Sequence, residues 1–120
     1  MKLIILGEVP SKKDQQQIYR NRYTGKPFIT SSKKHKEWHR KAIAQLDDIP
    51  PVLGLKRLSM TFYSATRRKS DLTNRADSVQ DLLVDAGILE DDNWWVVPEV
   101  TLIFGGVDKE NPRVEVSFEV

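Results

Sequence analysis

The sequence predicts an α+β domain: a mixed β-sheet of about five or six strands with two main helices on it. Three observations carry that expectation. Leu58, Met60 and Phe62, and later Val114, Val116, Phe118 and Val120, alternate with polar residues, the period of a half-buried strand. Two other segments repeat at helical spacing instead: Trp38, Ala42 and Leu46, then Ala76, Val79, Leu82, Leu83 and Ala86. The order strand, hairpin, helix, strand, helix, strand, strand implies a mixed sheet covered by two helices.

At 120 residues, with 39% hydrophobic and 30% charged side chains, the chain is expected to form one domain over residues 1–120 with a single core. No apolar run approaches the ~20 residues of a membrane span, and the opening MKLIILGEVP lacks the length and small-residue cleavage site of a signal peptide. A cytoplasmic protein without a membrane partner is the expectation. The absence of cysteine excludes disulfides, thiolate zinc sites and cysteine nucleophiles.

The elements follow in order. Lys2 to Val9 is an expected strand, left through Pro10-Ser11-Lys12-Lys13, a turn with two cations. Gln17 to Arg20 and Phe28 to Thr30 flank NRYTGKP, whose Gly25 and Pro27 suit a hairpin. Ser31 or Ser32 is placed to cap a helix running to about Leu46, which Ile49-Pro50-Pro51 ends. The strand through Leu58 to Tyr63 leads directly into Arg67-Arg68-Lys69 and Asp71. The second helix stops at Gly87. Val96 to Phe104 reads as a more central strand, GGVDKENP as a hairpin loop, and Val114 onward as the last strand.

Charge is divided along the chain. Residues 1–69 hold sixteen Lys and Arg against five Asp and Glu, whereas residues 70–120 hold three against twelve. Such asymmetry fits a polyanion-binding part beside an acidic part, or two halves that neutralise each other in the fold. The segment Asp71–Asp92, DLTNRADSVQDLLVDAGILEDD, brings the two signs together, with acids at both ends of a helix directly after a basic run. Carboxylates suit a hard divalent cation, and Lys and Arg suit phosphate. Thr73, Asp77 and Asp81 fall on one helix face, so Asp77 and Asp81 are like-charged neighbours that a cation would relieve. Asp71 precedes the expected cap residues Thr73 or Asn74, and Asp91-Asp92 return towards Asp71 only if the flanking strands are neighbours.

Other signals are weaker. His35 and His39 are four apart on the first helix but lack the HExxH order and a third ligand. Of Trp94 and Trp95, one is expected in the core and the other as a stacking or packing surface. Tyr19, Arg20, Arg22 and Tyr23 mix aromatic and cationic groups in the hairpin, suiting either DNA contact or cross-strand packing. No Gly-rich phosphate loop or Ser/His/Asp arrangement is present.

The segment resembles the RusA family of Holliday-junction resolvases, whose signature runs DLDN, an internal lysine, DAL, AG and then DD before an apolar strand. Here Asp71-Leu72-Thr73-Asn74, Asp81-Leu82-Leu83, Ala86-Gly87 and Asp91-Asp92 align without a gap, preceded by Arg67-Arg68-Lys69. The resemblance is specific over about 25 residues and looser elsewhere. It implies a homodimeric endodeoxyribonuclease that uses Mg²⁺, or Mn²⁺ in its place, to make paired nicks in branched, four-way DNA. Carried over, Asp71, Asp91 and Asp92 are the implied metal ligands, with Asp71 and Asp92 catalytic. Lys12, Lys13, Arg67, Arg68, Lys69 and Asn74 are the expected DNA contacts. Thr73 stands where the family has its second aspartate and Asp77 where it has its functional lysine. We expect Asp77 to replace the missing catalytic carboxylate, with Lys12, Lys13 or Arg75 restoring the cation. The alternative is a junction-binding protein whose metal site is impaired.

Overall fold

A computed structural model describes residues 1–11, 16–20, 22–31 and 33–120. Its elements are β1 (Lys2–Leu6), β2 (Gln16–Arg20), β3 (Pro27–Ser31), α1 (Lys33–Ala44), β4 (Arg57–Ser64), α2 (Leu72–Asp85), β5 (Val100–Val107) and β6 (Arg113–Glu119). The α+β class with two helices holds. The mixed sheet, however, has four strands in the order β1-β6-β4-β5, while β2 and β3 form a separate antiparallel hairpin. The expected single sheet of about five or six strands is thus replaced by one of four and one of two.

The alternating strands behave as their sequence requires. Leu58, Met60 and Phe62 of β4 and Val114, Val116 and Phe118 of β6 face one buried layer. Ala76, Val79, Leu82 and Leu83 of α2 and Trp38 and Ala42 of α1 fill that layer from the other side, with Ile5 and Val9. The opposite face of the sheet is mixed, with charged residues beside the exposed Ile4, Leu6 and Ile103. Arg113 lies 3.9 Å over the ring of Tyr63 and pairs with Glu115 and Asp108, and Lys2 reaches Glu115 at 2.8 Å.

α2 ends as the sequence predicts. Gly87 takes φ +75°, and the N–H of Ile88 returns to the Leu83 carbonyl at 3.0 Å, closing the last turn with buried Ile88 and Leu89 beneath it. Its start differs from expectation. The helix begins at Leu72, so Asp71 is itself the N-cap residue, yet its carboxylate makes no capping bond to the helix amides. The first residue expected to cap α1, Ser31, closes β3 instead, and Ser32 lies outside the described residues.

Two expectations near the C-terminus are corrected. Val96–Phe104 does not form a central strand; β5 starts only at Val100 and lies at the edge of the sheet. The Asn93 carbonyl oxygens explain the delay: its side chain accepts from the amides of Trp95 and Val96 and its main chain from that of Val97, folding residues 93–97 into a turn. Nor does GGVDKENP close a hairpin. β5 runs parallel to β4 and β6 runs antiparallel to β4 on its other side, so the connection passes over the end of β4, tied by Asp108 N–H to the Ser64 carbonyl at 2.8 Å.

Candidate nucleic-acid and metal interface

The segment β4–α2–β5 positions nearly every residue singled out from the sequence. β4 and β5 are indeed neighbours, with Leu58 opposite Val100 and Phe62 opposite Phe104. Because they are parallel, α2 must carry the chain back along the length of the sheet before β5 can begin. Asp71 therefore lies beyond the end of β4, and Asp91-Asp92 lie before the start of β5, at the opposite end. From Asp71 to Asp81 the helix alone rises roughly 15 Å. Adjacency of the strands is met, and their direction keeps Asp71 and Asp92 apart within one chain.

At the first end, Arg67, Arg68, Lys69 and Ser70 line a cavity of about 600 Å³ floored by Phe62, Leu72, Phe104 and Val107. Arg67, Arg68 and Lys69 are exposed and form no ion pair among the described residues. A side-chain knot holds this corner. The Glu8 carboxylate accepts from Ser64 Oγ at 2.7 Å, from the Ala65 N–H at 3.0 Å and from Arg75 Nη1 at 3.0 Å, while Arg75 Nε donates to Ser70 Oγ. The charge of Arg75 is thus already engaged, which argues against its replacing the lysine absent at position 77. Asp71 is exposed; its one described side-chain contact is from Asn74 Nδ2, long at 3.4 Å. Asp77 is exposed one turn on from Thr73, with no side-chain partner among the described residues. Lys12 and Lys13 lie outside the described residues, as do the side chains of Tyr19 and Arg20.

At the second end, Asp81, Asp85, Asp91 and Asp92 line a cleft of about 310 Å³ with Val84. Asp91 accepts from the Asp92 N–H at 2.7 Å and from Asn93 Nδ2 at 3.0 Å, which holds its carboxyl below the ordinary aspartate range. Asp92 is pushed the other way, chiefly by its hydrogen bond to the Asp91 carboxylate, then by partial burial and by the charges of Asp91 and Asp81. Two adjacent carboxylates suit a hard cation, since Mg²⁺ takes only one or two protein carboxylates and keeps waters. Asp85 also meets His39 Nε2 at 2.9 Å. His35, by contrast, is buried, and no group of three His, Asp or Glu close enough to hold a metal occurs among the described residues.

Beside this acidic cleft, the Asn93 turn leaves Trp94 76% and Trp95 87% exposed. The expectation that one of them is core is corrected: neither lies in a strand, so the alternation that would have buried one does not apply. Glu8 and Asp85 were missed by sequence reasoning, and His39 was weighed only beside His35, because each acts through a partner 46 or more residues away. No helix among the described residues is long and apolar enough to cross a membrane. Comparison with protein-family models finds no match, and none is found among curated proteins.

Proposed function

We propose that this protein is a divalent-cation-dependent endonuclease for branched DNA, similar to the RusA resolvases, and that it acts as a homodimer in the cytoplasm. The observation that carries the reading is the pairing at the two ends of α2. Arg67, Arg68 and Lys69, unpaired among the described residues, stand close in the chain to the carboxylate of Asp71, which caps no helix amide, and the adjacent acids Asp91-Asp92 stand at the far end. The basic strip fits phosphate, which supplies the salt-sensitive, sequence-independent part of DNA binding. The carboxylates fit Mg²⁺ or Mn²⁺, which would activate water and neutralise charge on the scissile phosphate. Asp77 is available as a further acid on the Asp71 side. Since the two acidic groups are separated within a chain, a second copy is needed to bring them to one phosphate, and two such sites would cut two strands symmetrically.

A non-catalytic junction binder is the second reading, favoured by that same separation of Asp71 from Asp91-Asp92. The deciding experiment is cleavage of a synthetic four-way junction beside linear duplex of the same arms, with Mg²⁺ or EDTA, for the native protein and Asp71→Asn. Paired nicks that require both Mg²⁺ and Asp71 support the endonuclease. Tight junction binding without cleavage in Mg²⁺ or Mn²⁺ supports the binder.

A further inference from the structure

The two ends of α2 are opposite in charge, and each also presents apolar surface. One end offers a cavity of about 600 Å³ with an apolar floor, including the half-exposed ring of Phe104, and a rim of Arg67, Arg68 and Lys69. The other end offers two exposed tryptophans adjacent in the chain, with exposed Asp91 and Asp92 shortly before them in the sequence as an acidic collar. Between them runs the outer edge of β5. The opposite edge of the sheet is partly closed, because Gln45 bonds both the N–H and the carbonyl of Leu6. No described group bonds the outer edge of β5, and Val100, Ile103, Phe104 and Val107 are exposed along it. An open edge strand with apolar side chains is a template for another strand.

We propose that this edge is the two-fold interface of the homodimer, with the Trp94-Trp95 turn of each copy seated in the other's Phe104 cavity. The inference rests on the homodimer invoked above and names its contact surface. Symmetry supports it. Two copies of β5 pair antiparallel about an axis perpendicular to the sheet, which keeps both helical layers on one side and runs the two α2 helices in opposite directions. The irregularity where Phe62 pairs with Phe104 but Tyr63 with Gly106 confines regular pairing to the first part of the strand. An axis near Leu102 follows. Phe104 then faces Val100 of the second copy, and the cavity beyond it faces the turn that precedes β5. The tryptophans of one copy meet the apolar floor of the other, and the acidic collar meets the basic rim. Because each surface carries both halves of the match, the contact closes on itself as a dimer and does not propagate.

The test is a charge-exchange experiment read by sedimentation velocity, with circular dichroism to verify folding. The reversed positions are all exposed, so the fold should tolerate them. Arg67→Glu with Arg68→Glu places acid against acid at both contacts, and Asp91→Lys with Asp92→Lys places base against base, so each variant alone should be monomeric. Mixed, they should form a heterodimer in which both contacts are attractive again. Trp94→Ser with Trp95→Ser should weaken dimerisation by about 30-fold or more, as loss of a buried aromatic anchor does. A monomeric native protein, dimers indifferent to either charge reversal, or a mixture that stays monomeric would each overturn the interface. The nuclease reading fails separately: a heterodimer that assembles as described while the native dimer does not nick junctions removes the activity and leaves the interface. Dimers that nick junctions yet ignore the charge reversals remove the interface and leave the activity.

Discussion

Replacing Glu8 tests whether the basic corner is built or merely adjacent. Glu8 is 28% exposed and its partner Arg75 15%, so water weakens their bond only partly. Glu8→Ala removes the acceptor for Ser64 Oγ, the Ala65 amide and Arg75 Nη1 together. Bonds to a charged group contribute about 1.5–3 kcal/mol each, and allowing for the exposure and for overlap among the three gives a loss of about 2–4 kcal/mol. Glu8→Gln is milder by construction. Its amide oxygen can keep Ser64 and Arg75, both on Oε1, but the NH₂ group then faces the Ala65 N–H, and the charge is gone. A loss of about 1–2 kcal/mol is expected. Urea denaturation with a common slope measures both, and for a domain of this size the alanine variant should melt roughly 8–15 °C lower. The alanine variant should also bind four-way DNA more weakly below its melting range, since residues 65–71 leave β4 from this anchor. An alanine variant within about 0.5 kcal/mol of the native protein would refute the knot as a determinant of the corner.

Four further outcomes are expected. Asp71→Asn should reduce Mg²⁺-dependent nicking by at least about 100-fold, a loss that even outer-shell partners of a metal can reach, with junction affinity by fluorescence anisotropy little changed. Removing Arg67, Arg68 and Lys69 together should weaken binding uniformly across DNA sequences, and the slope of log K against log salt should shrink by about 0.9 for each phosphate that is no longer neutralised. Asp92 has a folded-state value raised above that of the unfolded chain, so its ionisation opposes folding as pH rises through the upper carboxylate range. Asp92→Asn should therefore raise the melting temperature at neutral pH and leave it unchanged in acid below the ordinary aspartate range; equal shifts at both pH values would count against the upward displacement of Asp92. A Cβ at Gly105 would lie 2.6 Å from Tyr63 Cζ and 2.9 Å from Thr61 Cγ2, and Tyr63 is pinned beneath Arg113, so Gly105→Ala should cost about 1–3 kcal/mol by urea denaturation.

Local patterning carried most of the fold. The alternation in β4 and β6, the helical stripe of α2 and its Gly87 stop all concern residues close in sequence, where side-chain period alone decides which face is buried. Strand direction has no such signal. Ile103 and Phe104 look like core residues in the sequence, and they are exposed because β5 is an edge strand: Ile103 pairs with Thr61 on the face away from the core, and Phe104, opposite Phe62, lies at the rim of the core face. The engagement of Arg75 by Glu8 and of Asp85 by His39 was illegible for the same reason: nothing in a linear pattern records which distant charge a side chain will meet.

The candidate site shows what that missing direction changes. Read as a line, Asp71 and Asp92 frame one helix, as if a single turn of chain could close them into one metal site. Had β5 been antiparallel to β4, a short return would have sufficed. A parallel neighbour instead requires a crossover, and the crossover is α2 itself, laid along the sheet with the two acidic groups at its ends. The same geometry converts the charge division of the sequence into a division in space. β4 delivers the basic run to one end, and α2 carries the chain to the acidic end before β5 begins. Each chain therefore presents two unlike halves of an interface along one open edge. Self-association about a two-fold axis, as proposed, is the simplest arrangement that joins them, and it would place Arg67, Arg68 and Lys69 of one copy beside Asp91 and Asp92 of the other.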